Sequence, residues 1–118
     1  MINLRGYAVE TASWERDRDH LMRVRRLVFI EEQRVPEHEE WDSADPVCIH
    51  ALAWTRNRDA VGTGRLDPLG KIGRVAVIGS HRGYGVGSQV LQWLIEEAAH
   101  GGLLRCPSAR ADERSQVL

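Results

Sequence analysis

Between two apolar stretches the chain reads Gly79-Ser80-His81-Arg82-Gly83-Tyr84-Gly85-Val86-Gly87-Ser88. A strand that feeds a glycine-rich turn and then a helix makes an anion site. The first amides of a helix have no intrahelical partner, its start carries partial positive charge, and glycines let phosphate oxygens approach the backbone. Arg82 adds a fork of donors suited to phosphate. Two of the three chemistries that use such a turn fit poorly. A Walker A loop needs G-x-x-x-x-G-K-[ST], and the Lys is absent. A dinucleotide turn belongs to the first unit of its domain and takes an acidic residue about 20 residues on. Here three strands come first, and Arg105-Cys106-Pro107 stands at that distance. Elsewhere, Glu31 and Glu32 are candidate catalytic carboxylates, the alternative being a solvated helix end. The acidic run Glu37 to Asp45 is expected to be a solvated loop able to attract a cationic amine. Within it, Trp41 is expected to anchor the loop by packing. His20, His38, His50, His81 and His100 show no ligand spacing, and no metal site is expected.

These residues must be positioned by a modest set of elements. Leu4 to Thr11 alternates weakly as a strand. Ser13 can cap a helix, though Arg16 offers its side chain no obvious partner. Leu21, Val24, Leu27 and Val28 then recur at helical spacing, with Arg23, Arg25, Arg26 and Glu31 on the other faces, and Pro36 ends the helix near Gln33. Val47 to Thr55, Ala60 to Leu66 and Lys71 to Ile78 read as strands, joined by Asn57-Arg58-Asp59 and Asp67-Pro68-Leu69-Gly70. After the glycine turn, Val90, Trp93, Leu94 and Ala98 form one helical stripe, stopped by Gly101-Gly102, and Leu103-Leu104 can begin another strand. The class is α+β, a sheet with helices packed on it.

Composition bounds the partners. The chain has 118 residues, 16 Lys+Arg against 17 Asp+Glu, and 42% hydrophobic residues, which suits one soluble domain. A formal charge of -1 gives no bulk attraction to nucleic acid or an anionic membrane. No apolar run reaches the roughly 20 residues of a membrane span, and Met1-Ile2-Asn3-Leu4-Arg5 lacks a signal-peptide core. Two cysteines, Cys48 and Cys106, make no disulfide framework, so a reduced, cytoplasmic setting is expected. Of the 16 basic residues only Lys71 is lysine, a bias we read as GC-rich coding.

The third chemistry is the pyrophosphate cradle of an acyl-coenzyme A enzyme, with R-x-x-G-x-G after a β-strand; Arg82, Gly85 and Gly87 match it. Together with Leu27-Val28-Phe29-Ile30-Glu31-Glu32-Gln33-Arg34-Val35-Pro36, Glu40-Trp41-Asp42, Asp45, Val61-Gly62-Thr63-Gly64-Arg65-Leu66 and Ile72-Gly73-Arg74-Val75-Ala76-Val77, the sequence resembles the GNAT superfamily of N-acetyltransferases, in its ElaA-like branch. The resemblance covers about Tyr7 to Leu104. It implies a GNAT fold, with a mixed β-sheet and helices on its faces, over residues 1-105. It implies acetyl-CoA as cosubstrate and the amine of a small molecule or peptide as acceptor. In the family the strand before the glycine turn splays, and the pantetheine arm bonds its backbone, which maps to Val75, Ala76 and Val77. The pyrophosphate would rest on the amides of Arg82, Gly83, Tyr84, Gly85, Val86, Gly87 and Ser88. A deprotonated amine then attacks the thioester directly.

The family continues past the second helix with a strand, a further helix carrying a Phe-Tyr pair, and final strands. The Tyr of that pair is the usual general acid, and Tyr84, inside the phosphate turn, is wrongly placed for that role. Residues 106-118 resemble nothing in the family. Back-translated with chosen third bases and read one base later, Cys106 to Leu118 gives Ala-Leu-Gln-Leu-Glu-Gln-Thr-Ser-Ala-Ala-Arg-Phe and then TA-, which T or C completes as Tyr. The tail is therefore expected to be out of frame, and the gene's nucleotide sequence decides it. On that expectation the last helix and strands are missing, turnover falls well below that of a frame-restored chain, and an exposed strand edge at Lys71 to Ile78 favours a homodimer. The alternative reading is a non-catalytic coenzyme A-binding fragment or inactive truncated product.

Overall fold

A computed structural model describes residues 2, 3 and 5–100 of the protein. The first strand, β1, runs Ala8–Ala12, shorter than its apolar pattern predicts. The side chain of Asn3 turns the chain before it, accepting from the amides of Arg5 at 2.8 Å and Tyr7 at 3.1 Å. Helix α1 spans Trp14–Arg25 and opens on Ser13, whose hydroxyl accepts from the backbone N–H of Arg16 at 3.3 Å. It is this amide, not the Arg16 side chain, that partners the cap.

From Arg26 to Glu32 the helix continues with wider π turns, and the N–H of Gln33 reaches back to the carbonyl of Val28 at 3.0 Å. That extra residue per turn rotates the buried face. Val28 and Phe29 become buried, while Leu27, expected in the stripe, is only half-buried. Arg25, expected on an outer face, is 1% exposed, because it is drawn inward by the buried carboxylates of Glu40 and Asp45.

Next come a one-turn helix, α2 (Glu37–Glu40), and strands β2 (Ile49–Trp54), β3 (Ala60–Leu66) and β4 (Ile72–Val77). Helix α3 spans Val86–His100. The sheet order is β1-β2-β3-β4, and all three pairings are antiparallel, so no parallel pair occurs among the described residues. Among those residues β4 pairs only with β3. The expected Gly101-Gly102 stop, the expected Leu103-Leu104 strand and the tail from Cys106 all lie outside them. No described helix is long and apolar enough to cross a membrane.

Helix α3 covers one face of the sheet, packing Val86, Val90, Leu94 and Ala98 against Val9, Ala51, Ala53, Val61, Val75 and Val77. Helix α1 and its π extension cover the other, with Leu21, Val24, Val28 and Phe29 over Leu52 and Ala76. Trp93 sits at the rim, donating from its ring N–H to Thr11 Oγ1 at 3.1 Å. The close seat of α3 depends on Gly64. A Cβ there would come within 2.8 Å of Leu94 Cδ1 and 2.9 Å of Val90 Cγ1. Gly64→Ala is therefore expected to destabilise the fold by ~1–3 kcal/mol through overpacking, read as a lower urea midpoint.

Candidate functional site

Strand β4 and helix α3 deliver the glycine turn. A β-bulge interrupts the β3–β4 pairing between Thr63 and Arg65, with the extra residue on β4, where Arg74 takes a φ of 54°. A bulge bends and twists its strand, and beyond it Ala76 and Val77, in the segment that the resemblance assigns to pantetheine, pair again with Thr63 and Gly62 of β3. Val75 and Val77 point into the α3 core and Ala76 into the α1 core. Only their backbone groups are therefore available to a ligand. A short 3₁₀ turn, Gly79–His81, leads on to Arg82.

Gly83 and Gly85 have φ of +87° and +81°, and a Cβ on either would meet nothing within 4 Å. Left-handed backbone beside open space is what a phosphate cradle requires. Among the described residues, the backbone bonds of this stretch resume at Gln89, whose N–H donates to the carbonyl of Gly85 at 3.0 Å. The sequence-assigned residues then part ways. Val86 and Gly87 are buried and can offer only their amides, while Ser88 is exposed at the mouth of a cleft. Tyr84 is 41% exposed and stacks on Tyr7 with ring centroids 6.2 Å apart.

Arg82 is tied inward. Its Nε donates to the carbonyl of Val77 at 2.9 Å, one terminal nitrogen donates to Glu32 at 2.8 Å, and the other donates to the second Glu32 oxygen. Of five guanidinium donors, three are engaged and two remain for a ligand. These bonds hold the Glu32 carboxyl below the usual carboxylate range and raise Arg82. Glu32 thus anchors the turn to the end of the π-helical segment, whereas its neighbour Glu31 is exposed. The structure brings Arg82 and Glu32, fifty residues apart, into one strut.

The acidic run departs from the expectation of a solvated loop. Glu40 and Asp45 are each fully buried. Arg25 donates to Glu40 and Asp45 at 2.8 Å each, Arg65 to Asp42 and Asp45 at 2.9 and 2.7 Å, and Arg74 lies 3.2 Å from Glu40 and 3.3 Å from Asp42. Three arginines on α1, β3 and β4 thus face three carboxylates of the loop. The negative charge is neutralised inside the protein, which leaves little to draw an amine. Trp41 does anchor the loop, with the guanidinium groups of Arg25 and Arg26 at 5.1 and 5.7 Å from its ring.

His50 closes this network. A carbonyl can only accept, so the 2.8 Å contact with the Asp45 carbonyl places a proton on His50 Nε2. Burial pushes its pKa below the ordinary imidazole value, and Arg65 hydrogen bonds lower Asp42 to about 2. Both shifts are depressions, so each group stabilises the fold above its unfolded pKa and loses that contribution as pH falls through the folded one. Stability is expected to decline from about pH 6.5 through His50 and more steeply below about pH 4 through Asp42. His50→Gln, which retains a donor, should flatten only the first limb in thermal unfolding measured against pH.

A third group of residues went unseen in the sequence. The N-terminal segment packs beside the turn, with Asn3 Nδ2 donating to Gln89 Oε1 at 2.9 Å and Gln89 Nε2 to the Tyr7 carbonyl at 3.3 Å. Together they border a cleft of about 710 Å³ lined by Asn3, Arg5, Gly83, Tyr84, Gly85 and Ser88, with Gln89 and Gln92 at its floor. Asn3, three residues before Gly6, was the available signal, since Asn accepting from following amides marks a turn.

An antiparallel sheet, a bulged fourth strand and a glycine turn heading a helix define an acyl-transfer fold, and comparison with known proteins agrees. The Acetyltransferase (GNAT) family matches residues 10–116, and the chain belongs to that family. The match runs on into the segment from Cys106 that the sequence sets apart. YjcF of Bacillus subtilis (strain 168), described as an uncharacterized N-acetyltransferase, is 39% identical over 67% of this chain and 58% of its own length. This chain therefore spans under two thirds of that relative. Escherichia coli ElaA superposes with a TM-score of 0.70 at 25% identity, over 81% of this chain and 72% of that one. An acyl-CoA N-acyltransferase from Pseudomonas aeruginosa gives 0.68 at 26%, over 82% and 73%.

Proposed function

We propose that the protein is an acetyl-CoA-dependent N-acetyltransferase acting on an amine of a small molecule or peptide in the cytoplasm. The observation that carries this reading is the pair of left-handed glycines, Gly83 and Gly85, opening on empty space at the head of α3 directly beyond the bulged strand. Acetyl-CoA supplies an acetyl group activated as a thioester. The amides from Gly83 to Ser88 bind the pyrophosphate, and the edge of Val75 to Val77 turned away from β3 holds the pantetheine arm in register. Arg82 and Glu32 keep the turn fixed against β4, so that positioning rather than covalent chemistry supplies the rate. In the transfer, the amine nitrogen forms the new bond to the acetyl carbon, the carbon–sulfur bond breaks, and the proton lost by nitrogen balances the one gained by sulfur.

The test is release of free coenzyme A thiol from acetyl-CoA with a panel of primary amines. We expect release that depends on the amine, with acetylated amine formed in equal amount. Thiol release unchanged by amine, or none with any of them beside demonstrable coenzyme A binding, would replace this reading with that of a coenzyme A-binding protein without transferase activity.

A further inference from the structure

The cleft beside the glycine turn contains a cation and an aromatic ring arranged for a ligand the turn itself does not account for. The guanidinium of Arg5 lies over the ring of Tyr84, 5.1 Å from its centre. Tyr84 is backed in turn by Tyr7, whose hydroxyl is 2.8 Å from His81 Nδ1. Stacking holds a guanidinium by its face and leaves its N–H edges unused. No carboxylate meets Arg5 among the described residues, as is also the case for Arg18, Arg23, Arg34 and Arg56, but of these five Arg5 alone lines the cleft at Gly83 and Gly85.

The backbone under Arg5 is also fixed. Asn3 accepts from the amides of Arg5 and Tyr7, its own N–H donates to the Tyr7 carbonyl at 2.8 Å, and its side chain is bonded to Gln89 of α3. A surface arginine ordered this way, without an acidic partner and at the wall of a 710 Å³ cleft, is preorganised for an external anion.

Topology says which anion. The segment that carries Arg5 leads into β1, at the opposite edge of the sheet from β4. For a ligand with its pyrophosphate on the turn and its pantetheine along β4, the cleft that Gly83, Gly85 and Ser88 share with Arg5 is open to its other end. In coenzyme A that end is an adenosine bearing a 3′-phosphate monoester, close to doubly charged at neutral pH. Resting on the function proposed above, the geometry points to Arg5, held by Tyr84, as the site that reads the 3′-phosphate of coenzyme A. Arg5 is thus a specificity residue that separates coenzyme A from its 3′-dephospho form.

Calorimetric titration of the full chain with coenzyme A and with 3′-dephospho-coenzyme A tests this. The unaltered protein is expected to bind coenzyme A about five- to tenfold more tightly, a preference that shrinks as salt is raised. Arg5→Gln should weaken coenzyme A to the level of the dephospho form and leave the dephospho form unchanged. Tyr84→Leu, which frees the guanidinium without removing it, should lose part of the preference. Equal affinity of the unaltered protein for the two ligands would overturn the assignment while sparing the donor site. So would an Arg5→Gln variant that weakens both alike. Binding of neither ligand would remove the underlying function along with it.

Discussion

Gly85→Val is expected to weaken coenzyme A binding by at least about a hundredfold while leaving most of the fold's stability intact. Two effects act together. A β-branched residue at a φ of +81° carries strain of about 1–3 kcal/mol, which distorts the turn or is relieved by moving it. Its side chain then projects into the space where phosphate oxygens must approach. Among the described residues, nothing beyond its own chain neighbours lies within 4 Å of a Cβ at that position, so the branch collides with ligand and not with the core. Gly85→Ala separates the two, because it keeps the backbone strain and adds the smallest possible obstruction; an intermediate loss is expected. Calorimetry with coenzyme A measures the affinity, and thermal unfolding of the same samples measures the fold. Unchanged affinity in both variants would show that the turn is not the cradle.

Arg25→Ala should be the most damaging change to stability, by ~3–5 kcal/mol, because it leaves Glu40 and Asp45 buried with too little positive charge. In the folded protein Arg25 donates from Nε to Glu40, from one terminal nitrogen to Asp45 and from the other to the Glu40 carbonyl, each at 2.8 Å. A lysine has no fork to span three acceptors, so Arg25→Lys should recover only a minor part. Against a total stability of about 5–15 kcal/mol for a typical domain, the alanine variant is expected to be partly unfolded at 37 °C. Urea titration at neutral pH reports the loss, and a change below about 1 kcal/mol would mean the network is solvated.

These two positions mark how far the sequence could be read. The glycine turn was legible because its chemistry is backbone chemistry: spacing alone says where left-handed residues stand and which amides a helix start exposes. Strands β2 to β4 were legible to within two residues, and β3 kept its predicted bounds, since hairpin turns and alternation are local signals, whereas the weakly alternating β1 begins four residues later than expected. Arg25 was not. It stands four residues after Leu21, on the edge of the apolar stripe, and a charge there reads as solvent-facing unless its partners are known. Those partners, Glu40 and Asp45, come from the acidic run fifteen and twenty residues further on. The π turns over Arg26–Glu32 had no local signature either, and they decide that Phe29 rather than Leu27 fills the core. Arg82 was read as a phosphate donor from its place in the motif, and its strut to Glu32 depends on a contact across the fold that no spacing rule contains.

The claim on which the rest depends is that one continuous surface, from β4 through the glycine turn, receives coenzyme A. Amide chemical-shift perturbation in the full chain, titrated with coenzyme A, measures it residue by residue. The largest shifts are expected on the amides of Val75 to Val77 and Gly83 to Ser88, saturating together with one affinity. Shifts confined to other elements, or none at millimolar coenzyme A, would contradict it.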